Sequence, residues 1–186
     1  MDEVNGYDPM MDAELVLRFQ EGSEGAFDDL VGRHMEAAHR FCLRLTGREG
    51  DAEEISQEGF VRAYRTLDSF RGEAHFRTWL FRILINLYRD RLRSRKREEI
   101  RKGKITARPN PAPEAGAELQ ARELGALIRE RIRLLPDRQR EVMSLHVERH
   151  LGYREIAGIL GCSYGDVKMN LCLARKRLKK ELEEYL

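Results

Sequence analysis

The stretch YREIAGILGCSYGDVKMNLCLARKRLKKELE, residues 153–183, decides the fold class of this chain. Its apolar residues Ile156, Leu160, Val167 and Leu171 recur at helical spacing on either side of a Gly161-Cys162 break. The stretch therefore reads as two helices, Tyr153 to Leu160 and about Ser163 to Glu181, joined by a tight turn. Ala157 supplies a small residue where the helices touch, Gly161 can take the positive φ of the turn, and Ser163 with Asp166 forms a capping box. Those are the requirements of a helix-turn-helix. The second helix carries Lys168, Arg175, Lys176, Arg177, Lys179 and Lys180. An ordinary helical hairpin with a solvated basic face has the same spacing, and a second basic segment upstream favours nucleic acid over it.

Upstream, Leu119 to Leu135 forms a helical apolar pattern that Pro136 ends, and Arg138 to Val147 forms another. Pro109, Pro111, Pro113 and Gly116 break any helix before them and mark a boundary across residues 98–117. In the first half, Leu15, Val16 and Phe19 share one face, and Ser23 is placed to cap a helix bearing Phe27, Leu30, Phe41 and Leu45. Asp51 and Glu54 resemble a capping box opening a third helix, and a break at residues 68–73 precedes a long helix from Phe76. There is no strand-like alternation and no repeat at a fixed period. The expected fold is all-α: two small helical domains, 12–97 and 118–186, joined by a flexible linker at 98–117 and preceded by a loosely attached acidic segment at 1–11.

Composition narrows the function. The 186 residues are 35% charged yet carry a net charge of only +2, so the placement of charge matters more than its sum. No run approaches the roughly eighteen apolar residues of a membrane span, and the N-terminus is acidic where a signal peptide is basic, so no membrane insertion and a cytosolic location are expected. Cys42, Cys162 and Cys172 cannot pair completely and are expected as reduced thiols packed like small hydrophobes. No glycine-rich phosphate loop or GxSxG elbow is present, and His146 and His150, four apart, lack a third ligand. No enzyme activity, cofactor or metal is expected. Between Arg89 and Arg108 ten Lys or Arg stand against three acids, enough to hold several phosphates. Phe70 and His75, with Phe76 and Trp79 among arginines, place aromatic faces beside that charge, as single-strand recognition requires. Trp79 is at core spacing, so Phe70 is the better stacking candidate. Glu53, Glu54, Gln57 and Glu58 form a solvated or protein-binding face.

The segments DAEEISQEGF (51–60), AYRTLDSFRG (63–72) and FRTWLFRILIN (76–86) with Asp90 resemble domain two of the extracytoplasmic-function (ECF) sigma factors. Leu135-Pro136, Arg140, Val142, residues 153–157, Leu160-Gly161, Gly165, Val167-Lys168, Ala174-Arg175 and Leu178 resemble their domain four. The resemblance implies an initiation subunit of bacterial RNA polymerase. It implies that Glu53, Glu54, Gln57 and Glu58 dock on the basic clamp helices of the core enzyme. Phe70, Arg71, His75 and Asn86 would hold melted minus ten bases, Trp79 would buttress them, and Arg89 and Arg93 would hold phosphates. The helix from Ser163, with Lys168, Asn170, Arg175 and Arg177, would read the minus thirty-five duplex, and an anti-sigma factor is an expected partner.

The sequence departs from the family after Gly165, where the usual Thr-Val-Lys-Ser-Arg-Leu-x-Arg-Ala-Arg is replaced by Asp166, Val167, Lys168, Met169, Asn170, Leu171, Cys172, Leu173, Ala174 and Arg175. Two arginines are lost, and Asn170 is expected to bond an adenine edge in their place. Two other readings stand beside the sigma factor. A stand-alone helix-turn-helix regulator explains only the second domain, and a small nuclease needs a metal cluster the sequence does not supply.

Overall fold

The computed structural model describes residues 8–101, 119–148 and 151–183, and these fold as helices. Helix α1 (Pro9–Gln20) begins earlier than the apolar pattern indicates, because Asp8 caps it through the Met10 N–H at 2.9 Å and Pro9 suits a first turn that needs no donor. The segment expected to be loose is thus helical from Pro9, while residues 1–7 lie outside the described residues. Buried Asp12 ties α1 to α2 (Gly25–Thr46), meeting His34 Nε2 at 2.8 Å and Arg33 Nε at 2.9 Å. Burial alone raises its carboxyl pKa, but His34 and Arg33 outweigh that and hold it below the usual carboxylate value.

Two expected caps are not used. Glu24 is already helical at the start of α2 and no side chain caps that end; Ser23 contributes its carbonyl, which accepts from the Ala26 N–H at 3.1 Å. Helix α3 (Glu49–Thr66) starts two residues before Asp51, whose carboxylate instead accepts from Arg95 at 2.5 Å. Glu54 likewise faces Arg91. Arginines brought by α4 (Phe76–Arg101) take the carboxylates that the local pattern assigned to a box.

Helices α2, α3 and α4 enclose the first core around Leu30, Phe41, Leu45, Ile55, Phe60, Leu80, Phe81 and Leu84, with the Phe41 and Phe81 rings 4.8 Å apart. Full burial of each such side chain contributes about 1.5–3 kcal/mol, so this cluster holds the bundle. Helix α4 runs on to Arg101, into the stretch expected as linker, and residues 102–118 lie outside the described residues. The second core joins α5 (Leu119–Leu134), α6 (Asp137–His146), α7 (Tyr153–Leu160) and α8 (Tyr164–Glu183) through Ile132, Val142, Leu145, Ile156, Leu160, Val167 and Leu171. The two halves are not apart: α2 packs on α5 and α6, and α4 packs on α7. Cys42 is buried as expected, Cys162 is half-buried, and Cys172 is exposed because it falls off the packed face of α8.

Gly59 of α3 lies against Leu84 of α4, where a Cβ would overlap the Leu84 Cδ2 methyl. Gly59→Ala is therefore expected to lower unfolding stability by about 1–3 kcal/mol through overpacking, read as a lower denaturant midpoint at unchanged slope.

Candidate nucleic-acid interface

The α7–turn–α8 unit is built as its sequence requires. Gly161 takes φ 63°, and the Cys162 N–H after it donates to the Ala157 carbonyl at 3.1 Å, turning the chain so that Val167, Leu171 and Ala174 bury against the domain. Ser163 and Asp166 cap α8 reciprocally: the Asp166 N–H donates to Ser163 Oγ at 3.1 Å, and the Ser163 N–H to Asp166 Oδ2 at 3.0 Å. These bonds hold the Asp166 carboxyl below its usual pKa. Lys168, Arg175 and Arg177 are exposed along the helix. Arg175 donates to His146 Nε2 at 2.7 Å, which orients its guanidinium from α6. His150 lies outside the described residues. The half-buried Asn170 donates from Nδ2 to the Asp166 carbonyl one turn back on α8, at 2.8 Å.

The segment between α3 and α4 opens with a 3₁₀ turn, Leu67–Ser69. Phe70 follows, half-buried, its ring 4.9 Å from that of Trp79, which in turn lies 5.7 Å from Phe76. Trp79 is half-buried, so it is both a core residue and the wall against which Phe70 rests. Gln20 Nε2 donates to the carbonyls of Leu67 and Phe70, each at 2.9 Å, fixing the loop from α1. Sequence reading missed Gln20, since nothing local ties it to a loop about fifty residues away. Arg71, His75, Asn86 and Arg93 are exposed, whereas Arg89 is bound in fork geometry by Glu141 at 2.8 and 2.9 Å.

Between α3 and α4 lies an open groove of about 530 Å³ that gathers Glu54, Gln57 and Glu58 with Val61, Leu87 and Asp90. Glu53 lies outside its lining, exposed and accepting from Gln57 Nε2 at 3.1 Å. The face is less bare than its sequence implies, because Arg91 meets Glu54 at 2.7 Å and Arg62 meets Glu58 at 2.9 Å. Val61, 43% exposed, was missed; it falls one turn beyond Gln57 and gives the polar groove an apolar wall.

Polar groups also join the two halves. Buried Glu148 accepts from Arg77 at 2.8 Å and from Arg44, both arginines being buried with it. Thr78 donates to Glu155 at 3.2 Å, and Arg82 to the Gly158 carbonyl at 2.8 Å. With the Arg89–Glu141 pair, these contacts set carboxylates of the second half against the basic side of α4.

A helix-turn-helix with a cationic second helix, attached to a bundle with a second basic helix, defines a DNA-binding protein of more than one contact surface. Comparison with known proteins makes this specific. Residues 30–98 match the family described as Sigma-70 region 2, and residues 125–178 match Sigma-70, region 4. The ECF RNA polymerase sigma factor SigW of Bacillus subtilis (strain 168) is 31% identical over 94% of this chain and 98% of its own. Among solved structures, CnrH in complex with the cytosolic domain of CnrY aligns with TM-score 0.70 at 26% identity, over 94% of this chain and 98% of that one. The sigma factor RpoE in complex with the anti-sigma factor NepR from Bartonella quintana aligns with TM-score 0.68 at 27% identity, over 84% and 96%. The chain belongs to the sigma-70 family. It is an RNA polymerase sigma factor of the ECF type, and the stand-alone regulator reading is not favoured because it does not account for region 2.

Two predictions follow from the contacts between the halves and around α8. Glu148→Ala leaves two buried guanidiniums without their shared carboxylate, and breaking a buried pair costs about 3–5 kcal/mol. The halves are expected to separate, seen as a larger radius of gyration in X-ray scattering with helix content retained; an unchanged radius would show that apolar packing holds them unaided. His146 is held below the usual imidazole pKa, first by burial and then by Arg175. In an NMR titration its midpoint is expected below about 6.5 and should rise in Arg175→Ala.

Proposed function

We propose that the chain acts by binding alone, with the groove between α3 and α4 as its core-polymerase site and Glu54, Gln57 and Glu58 as the docking side chains. The observation that carries this reading is the groove itself: Glu54 and Glu58, one turn apart on α3, share a recess with Asp90 of α4, with their partners Arg91 and Arg62, and with the apolar wall of Val61. Its charge complements the basic clamp helices expected of the core enzyme, and Glu53 extends the acidic face beyond the recess.

Residues 12–97 serve as domain two. Phe70, with Arg71, His75 and Asn86 around it, receives unstacked bases of the minus ten strand, supported by Trp79 and by the bonds from Gln20. Arg89 and Arg93 hold phosphates. Residues 118–186 serve as domain four, with Ser163, Lys168, Asn170, Arg175 and Arg177 on the minus thirty-five duplex, and residues 98–117 link the two. An anti-sigma factor is the fitting inhibitor, since the Bartonella relative was solved with one. A cytosolic location is consistent with helices of which none, among the described residues, is long and apolar enough to cross a membrane.

Initiation on this reading requires the halves to part. Elements named minus ten and minus thirty-five lie about 25 base pairs apart, roughly 85 Å at 3.4 Å per step. The longest helix, α4 with 26 residues, spans about 39 Å at 1.5 Å per residue, and the second half is docked along it. Arg89 can meet phosphate only after leaving Glu141, so separation and strand binding are coupled.

The test is run-off transcription and pull-down with core polymerase. Glu54→Lys with Glu58→Lys is expected to weaken association with the core enzyme while the bundle stays folded. Phe70→Ala should lose about 1–3 kcal/mol of binding to an opened minus ten strand and keep core binding. Equal loss of both by Phe70→Ala would assign Phe70 to folding instead, and unchanged association of the double variant would remove the groove from the interface.

A further inference from the structure

Helix α8 meets the rest of its domain through Val167, Leu171 and Ala174, so the opposite side is the one open to a duplex. Near its N-terminal half, that side presents Asp166, Met169, Asn170 and Leu173. The polar members hold bonds within the helix start. The Asp166 carboxylate accepts from both the N–H and the hydroxyl of Ser163, at 3.0 and 2.8 Å, and the Asn170 amide donates to the Asp166 carbonyl. Beside them stand two open apolar side chains: Met169 is 55% exposed and Leu173 is 42% exposed, four residues apart on one face.

Exposed apolar residues in a strongly cationic setting call for a partner that is negative at its edges and apolar at its centre. Lys168, Lys176 and Arg177, all exposed, flank the pair and suit phosphates on either side of a groove. Among base edges in the major groove, the bulky apolar group is the C5 methyl of thymine, where cytosine has only a C–H and the other exposed edge atoms are hydrogen-bond donors or acceptors. We propose that Met169 and Leu173 read thymine methyl groups in the duplex held by α8, making its selectivity apolar where arginines would select guanine. This rests on the reading of α8 as the minus thirty-five helix and names what that helix selects.

Uracil tests the idea directly, because it keeps every hydrogen-bonding edge of thymine and removes only the methyl. The full chain with core polymerase first selects promoters from a library randomised in the upstream element, and each selected thymine is then replaced by uracil. At one or two positions, occupancy is expected to fall about three- to fivefold, the scale of one buried methyl. Met169→Ala or Leu173→Ala should abolish the thymine–uracil difference at its own position; both residues are exposed, so folding should be retained, checked by an unchanged thermal midpoint. Selection of an element without thymine, thymine selected with no effect of uracil, or a uracil effect that survives both substitutions would each overturn the proposal. The second of these is also the result expected if another protein chain, and not DNA, covers the pair. A library that selects no upstream sequence at all would overturn the minus thirty-five reading of α8 itself, which is a different result.

Discussion

A single carboxylate, Glu148, organises the relation between the two halves of this protein. It is buried at the end of the turn after α6 and faces two buried guanidiniums, Arg44 from α2 and Arg77 from α4. Taking three charges out of water is costly, and their attraction offsets that cost only while all three remain together. Such a cluster adds little stability over an apolar contact of the same shape, but it is strict about geometry: the halves fit in the one arrangement that leaves no guanidinium unpaired. Helix α4 also packs on α7, where Thr78 donates to Glu155 and Arg82 to the Gly158 carbonyl.

The same economy of charge recurs along α4. Its arginines are the side chains best suited to nucleic-acid phosphate, yet Arg89 holds Glu141, Arg91 holds Glu54 and Arg95 holds Asp51. A carboxylate in fork contact with guanidinium presents much the same oxygens as a phosphate. The Arg89–Glu141 pair is therefore an internal substitute for the ligand, and strand binding by Arg89 on the proposed reading exchanges one oxyanion for another. The net driving force is the difference between two similar interactions, which makes it responsive to polymerase docking and to salt.

Domain four shows how local caps limit readout. Asp166 and Asn170 would be natural base-contacting side chains by type, but Ser163 and the helix backbone occupy them. On the proposed reading, the bonds that hold Asp166 and Asn170 to the helix start restrict how these two side chains can turn toward a base, which gives their apolar neighbours a larger part in recognition.

Much of this protein was legible in one dimension. Helical periodicity, Gly161 at the turn, the Ser163–Asp166 cap and the Pro-rich break before Leu119 fixed the class, the two-part organisation and the limits of α7, because each depends on residues within a few positions of one another. The acids of α3 and the aromatic loop after it were identifiable for the same reason. The failures came where a distant partner outbid a local one. Asp51 looked like a cap until α4 supplied Arg95, and Ser23 lost its role to a helix already begun at Glu24. Gln20 on the loop carbonyls and Glu148 between Arg44 and Arg77 join residues up to about a hundred positions apart, and no spacing rule reaches so far. Sequence alone determined which helices form and where the basic and acidic residues fall along them; only the packing of the two halves decided which of those charges are already spent on each other, because pairing of buried charge depends on distance in space and not along the chain.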